Sequence, residues 1–170
     1  EEISKANVYP GIMNQGISML VPTLLEVGTK EQCAKWIEPT IRGEIIWCQG
    51  YSEPGSGSDL AAAKTKAEIV DGQFVINGQK IWTTLAHDST HLYTLVRTSK
   101  EGKRQEGISF LLIDADTPGI TIRPIRNIAG HEEFCEVFFE NVRVPQANLV
   151  GGLNKGWTVA KALLSFERIN

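Results

Sequence analysis

The sequence predicts an α+β chain in which an antiparallel β-sandwich or β-barrel sits between two helical parts. Three observations carry that expectation. Over residues 1–46 apolar side chains recur at helical spacing. From Ile45 to Val144 the apolar runs become short, dense in β-branched residues and punctuated by turn dipeptides. From Gly156 the helical spacing returns.

In the first part, Ile12, Met13, Ile17, Met19, Leu20, Leu24 and Leu25 give a helical apolar pattern. Pro22 interrupts or kinks it, because proline lacks an amide hydrogen and crowds the preceding turn. Gly28 is a helix stop. Thr29 caps the next helix, and Gln32 completes a capping box. That helix carries Cys33, Trp36 and Ile37, then Pro39, and ends at Gly43. In the middle part, Asp71-Gly72 and Asn77-Gly78 are hairpin-turn dipeptides, since their residues tolerate positive φ. They bracket QFVI as a very short strand. KIWTT, HLYTLVR, GISFLLID, ITIRPI and EVFFENV follow as further strands, with Pro118-Gly119 as another turn. No strand–helix alternation is present, which disfavours a doubly wound sheet. In the last part, Val159, Ala160, Leu163, Leu164 and Glu167 fall on or near one helical face. The chain opens at EEISKAN without a helix-start signal and stops at SFERIN inside the helical pattern. It is therefore expected to be a fragment of a longer protein.

Composition narrows the function. The chain has 170 residues, 42% hydrophobic and 22% charged, enough to build a real core. A net charge of −3 offers no broad basic surface for nucleic acid or anionic membrane. No apolar run is long enough to span a bilayer. Cys33, Cys48 and Cys135 are isolated and odd in number, which points to buried reduced thiols rather than a zinc ribbon or redox pair. His87 and His91 are four apart but lie between strand segments, so they read as a solvated loop rather than a helical metal site. His131 lies in GHEEF, which links strands.

The stretch YSEPGSGSDL, Tyr51–Leu60, is rich in small residues. Its glycines allow close backbone approach to a ligand, its serines donate hydrogen bonds, and the same composition suits a surface turn. It is no dinucleotide fingerprint, because Gly55 and Gly57 are followed by Leu60 where a third glycine belongs. It is no P-loop, because Ala63 precedes Lys64-Thr65. A serine-nucleophile elbow is incomplete around Ser56 and Ser58.

YSEPGSGSDLAAAKTKA, INGQKIWTT, GISFLLIDADTPGI and EVFFENVRVPQANLVGGLNKGW, in this order, resemble the acyl-CoA dehydrogenases over nearly the whole chain. The resemblance implies a flavin-dependent α,β-dehydrogenation of an acyl-CoA thioester, with FAD as cofactor and an electron-transfer flavoprotein as acceptor. It implies the end of an N-terminal helical domain over residues 1–46, a middle β-domain over 47–152 and the first helix of a C-terminal bundle over 153–170. The parent is then a homotetramer or heterotetramer, cytoplasmic in a bacterium or in the mitochondrial matrix of a eukaryote. By position, Gln49, Tyr51, Ser52, Gly57 and Ser58 line the flavin, with the Ser52 hydroxyl at the ring and Ser58 also on the acyl-CoA arm. Trp82, Thr83 and Thr84 match a second flavin segment. Trp82 and Thr84 are two apart on a strand and share a face, which suits a covering ring and a hydroxyl at N5. Leu85 departs from the asparagine common there. Glu167, immediately before an arginine, matches one of the family's two locations for the catalytic base; the other lies beyond Asn170. Arg168 matches a substrate-contacting arginine, and Ser165 stands where some members carry an aspartate. An acyl-CoA oxidase, a nitroalkane-type oxidase or a non-catalytic flavin-domain fragment remain open as alternatives.

Overall fold

The computed structural model of the protein describes residues 15–168, so Ile12 and Met13 of the predicted helix lie outside the described residues. A π-helical turn, Gly16–Leu20, leads into α1 (Val21–Val27), and α2 (Lys30–Ile41) follows. Pro22 falls in the first turn of α1, where a missing amide hydrogen is tolerated. The wide turn just before it, closed by the Val21 amide on Gly16 O, takes up the irregularity. The capping box forms: Gln32 N donates to Thr29 Oγ1 at 3.2 Å, and Thr29 N donates to Gln32 Oε1 at 3.1 Å. Pro39 lies inside α2 without ending it.

Eight strands follow: β1 (Trp47–Gly50), β2 (Lys66–Val70), β3 (Gln73–Thr84), β4 (His91–Arg97), β5 (Ile108–Asp114), β6 (Ile120–Ile125), β7 (Phe134–Pro145) and β8 (Leu149–Val150). They form one sheet in the order β6-β7-β3-β2-β4-β5-β8, with β1 beside β4. The two end strands of that path do not meet, so the sheet folds over itself as a sandwich and does not close into a barrel. The pairing is antiparallel except along one edge of β4. There β1 pairs in parallel from His91 to Thr94, and β2 touches in parallel at Lys66 and Arg97 alone. α3 (Gly156–Glu167) closes the described chain.

Asp71-Gly72 makes the predicted two-residue hairpin, with φ of 50° and 74° between the paired Val70 and Gln73. Asn77-Gly78 does not turn the chain, and β3 runs through it as a 12-residue strand. Gly78 has φ 152°, and a Cβ there would stand 2.7 Å from Thr65 Cα. Its job is close approach, marked by a register shift against β7 between Ile76 and Gly78. The Asn77 side chain is spent across the sheet, accepting from Asn141 N at 2.9 Å.

β4 and β5 are buried on both faces, so successive residues feed two cores. Tyr93, Leu95, Phe110 and Leu112 pack with Leu20, Leu24, Trp36 and Leu163 of the helical side. Leu92, Val96, Leu111 and Ile113 pack with Phe74, Ile76, Val137 and Val144 between the sheet layers. Cys48 and Cys135 are buried and all three cysteines are free; burial pushes the Cys48 thiol up to about 12. His91 corrects the solvated-loop expectation. It opens β4, with its ring 5.3 Å from Trp36 and 5.1 Å from Trp47. His87 lies in a 3₁₀ turn, its Nδ1 3.1 Å from Cys135 Sγ. Among the described residues, no helix is long and apolar enough to cross a membrane.

Candidate functional site

The loop after β1 is held against the second half of β3 by three consecutive residues. Ile81 N donates to Ser52 O at 2.9 Å. Lys80 Nζ donates to Tyr51 O at 3.1 Å and to Glu53 Oε1 at 2.8 Å. The Glu53 carboxylate also accepts from Lys64 N at 2.6 Å and Thr65 N at 2.9 Å. Lys80 is 0% exposed, so this ion pair is buried and its remaining hydrogen-bonding capacity is largely met. Burial alone would push the Glu53 carboxyl up. The Lys80 ammonium and the two amides outweigh it and hold the group below the usual carboxylate range. Burial pulls Lys80 below the usual lysine range, and the Glu53 charge opposes that pull. Glu53 and Ser56 exchange backbone hydrogen bonds at 2.9 Å across Pro54-Gly55, and Ser56 Oγ donates to Asp59 O. The serine-rich loop is therefore a braced turn.

Neither Glu53 nor Lys80 was singled out in the sequence. The signal was present: continuing the β3 alternation from the core-facing Phe74 and Ile76 puts Lys80 inward, where an unpaired ammonium is costly.

β3 then changes character. A register shift between Lys80 and Thr83 inserts one extra residue, and Trp82 there takes φ 60°, rare for a bulky side chain. Trp82 is 58% exposed and meets Phe134 edge-on at 6.2 Å. Thr83 is buried with its hydroxyl unpartnered, and Thr84 is half-buried. Trp82 and Thr84 thus both avoid the buried side, through a bulge rather than simple alternation.

On the other side of the loop, Tyr93 OH donates to Gln49 Oε1 at 3.1 Å, which leaves the Gln49 NH₂ as a donor. Gly50 lies against Thr94, whose Oγ1 would be 2.9 Å from a Cβ there. The Tyr51 ring is buried, Ser52 is half-buried, and Gly57 and Ser58 are exposed. The Ile81–Ser52 bond thus sets Ser52 beside Trp82, with Gln49 and Tyr51 just before it in the chain; Thr83 and Thr84 follow on β3, and Gly57 and Ser58 lie on the turn beyond. Ser165, Glu167 and Arg168 lie together at the end of α3, all exposed. The buried stripe of α3 is Val159, Ala160 and Leu163, and it ends one turn before Glu167.

A feature the sequence did not announce flanks the loop. A cleft of about 540 Å³ is lined by Ala61 to Lys64, Lys66, Arg97, Lys100 and Lys103-Arg104. Arg97 is its fixed wall, donating to Ala63 O at 3.2 Å and Ala61 O at 2.6 Å. Arg104 pairs with Asp59, next to Ser58, at 2.9 Å. Lys66 pairs with Glu68 at 2.6 Å. Six cations thus border one opening in a chain whose net charge is −3.

The donors fit the polar edge of a flavin ring: the Gln49 amide and the Ser52 and Thr84 hydroxyls can all donate to ring carbonyls and nitrogens. The exposed Trp82 face fits the ring itself. Among the described residues no cluster suits a metal ion.

Residues 48–142 match the family model "Acyl-CoA dehydrogenase, middle domain". The chain is 47% identical to the acyl-CoA dehydrogenase IpdE1 of Mycobacterium tuberculosis, over 99% of this chain and 44% of that protein. It superposes on a variant of the Tcur3481-Tcur3483 steroid ACAD with a TM-score of 0.88 at 32% identity, covering 99% of this chain and 43% of that one. It superposes on the ChsE4-ChsE5 complex from Mycobacterium tuberculosis with a TM-score of 0.85 at 32% identity, covering 97% and 42%. The chain spans less than half the length of these relatives.

Proposed function

The chain belongs to the acyl-CoA dehydrogenase family, and we propose that it is the central portion of an FAD-dependent enzyme that introduces an α,β double bond into an acyl-CoA thioester. In this reading residues 1–46 end a helical domain, 47–152 form the flavin and acyl-CoA domain, and 153–170 begin a helical bundle. One observation carries the reading. Buried Lys80 and the Ile81 amide pin residues 51–53 beside β3, so the Ser52 segment and the exposed Trp82 ring form one site.

A bound flavin supplies a two-electron acceptor for the β-hydride. The chain's own residues do the rest. Gln49, Ser52 and Thr84 donate to the ring's polar edge, the Tyr51 and Ser52 backbone and Gly57 line it, and Trp82-Thr83 carry the covering ring. Ser58 orients the pantetheine arm. The cations of the adjacent cleft receive the phosphates of the coenzyme, and the Arg104–Asp59 pair ties that cleft to Ser58. Glu167 takes the α-proton, and Ser165 and Arg168 bound the substrate beside it. The expected electron acceptor is an electron-transfer flavoprotein, and the parent assembles as a homotetramer or heterotetramer.

The test uses the full-length flavoprotein. Anaerobic addition of acyl-CoA is expected to bleach the flavin absorbance, and an electron-transfer flavoprotein is expected to restore it faster than oxygen does. Faster recovery with oxygen would make the protein an oxidase. No bleaching across short, long and branched acyl chains would overturn the reading.

A further inference from the structure

We propose that Tyr51 is a positioning residue for Glu167, its phenol hydroxyl donating a hydrogen bond that seats the carboxylate on the buried side of α3. This rests on the reading of Glu167 as the base. The Tyr51 side chain lies in the core that α3 joins, its ring 6.1 Å from Tyr93 and 6.4 Å from Phe110. Ala160 and Leu163 belong to the same cluster. On a helix Ala160, Leu163 and Glu167 follow one face, so the exposed Glu167 is the next position along the stripe that shares this core cluster with Tyr51.

The Tyr51 hydroxyl is fully buried and has no hydrogen-bond partner. A buried hydroxyl without a partner is unfavourable, and a catalytic role is one of the reasons a protein keeps such a group. The other phenol nearby, Tyr93, turns its hydroxyl to Gln49 Oε1 and makes no hydrogen bond to Tyr51. Besides burial, the Glu167 charge on α3 works against ionisation of the Tyr51 phenol, and it bears on Tyr93 together with Cys48 of β1. Arg168, the next residue on the helix, is exposed beside it. A phenol donating to a carboxylate makes a charge-assisted bond, short and directional enough to select one side-chain rotamer from those open to an exposed glutamate. A base fixed in that way needs less reorganisation when the α-proton is transferred.

The experiment is a double-mutant cycle in the full-length flavoprotein with Tyr51→Phe, Glu167→Gln and the double variant. Tyr51→Phe removes only an unpartnered hydroxyl, so the fold and flavin content are expected to be kept. It is expected to lower kcat about tenfold with KM changed less than about twofold, and to cost nothing further in the Glu167→Gln background. An unchanged kcat, or the same loss in both backgrounds, would overturn the proposal. The same four proteins are compared in thermal unfolding, which does not depend on turnover. Non-additive melting temperatures with full activity in Glu167→Gln would leave the contact standing and refute the base. Additive melting temperatures would refute the contact.

Discussion

The two halves of β3 obey different rules. From Gln73 to Ile76 the strand alternates, with Phe74 and Ile76 at 0% exposure and paired to Val144 and Val142 of β7. From Lys80 to Thr84 the inward position holds an ammonium, the register slips by one residue, and Trp82 stands out in a left-handed conformation. Gly78 separates the two. The first half is what a hydrophobic core requires of a strand. The second makes sense only with the loop at 51–53 beside it. A regular half that fixes register allows an irregular half to carry strain and aim side chains outward.

Breaking the clamp tests this division most severely. Lys80→Met leaves the Glu53 carboxylate buried without its counter-charge, and denaturant titration is expected to show a loss of about 3–5 kcal/mol. Phe74→Ala is expected to lose about 3–5 kcal/mol by opening a cavity. The two differ in rescue: adding Glu53→Gln to Lys80→Met should recover part of the loss, because the stranded charge is gone. A double variant no more stable than Lys80→Met would mean that both halves work by packing alone.

Gly78→Ala should cost about 1–3 kcal/mol, because its φ disfavours a side chain and Thr65 occupies the space. Wild-type stability in that variant would remove the boundary between the halves.

Acid should separate them further. The folded Glu53 carboxyl lies below its ordinary value, so its stabilisation is complete above the usual carboxylate range and is lost as pH falls through the depressed value. Melting temperature is expected to fall over that window in the wild type and less steeply in Lys80→Met/Glu53→Gln. Parallel curves would place the acid sensitivity elsewhere.

Trp82→Gly should have the smallest effect on stability, a gain of about 1 kcal/mol from releasing the left-handed backbone of an exposed side chain. In the full-length protein the same change should weaken flavin retention. A destabilised chain with flavin affinity intact would make Trp82 a core residue after all.

The sequence disclosed what is local. Asp71-Gly72 and the Thr29–Gln32 box are short-range devices and form as expected. Asn77-Gly78 has the same composition as a turn, but the reason for its glycine is Thr65, thirteen residues upstream and visible only once the chain has folded. The parallel placement of β1 on β4 was hidden for the same reason, being settled by which edge of β4 remains open. The cationic cleft vanished into a net charge of −3, because a sum over the chain discards position. His91 looked like loop because polar Asp88-Ser89-Thr90 precede it, whereas its two tryptophan neighbours come from residues 36 and 47. A continuous motif assigns expected site residues by position, whereas groups that act through space, Glu53 with Lys80 above all, leave no such trace in the sequence.

The clamp also sets an order of events in time. The β2–β3 hairpin closes through a two-residue turn, whereas Lys80 meets its partners across 27 and 29 residues of chain. Local closure is fast and long-range docking is slow, so the hairpin is expected to be formed in the folding transition state while the loop is still loose. Substitutions at Lys80 should then accelerate unfolding and leave the folding rate nearly unchanged, whereas a non-glycine at Gly72 should slow folding. Hydrogen exchange should release the amides of residues 51–53 before those of 73–76. The braced loop would be the last to arrive and the first to leave.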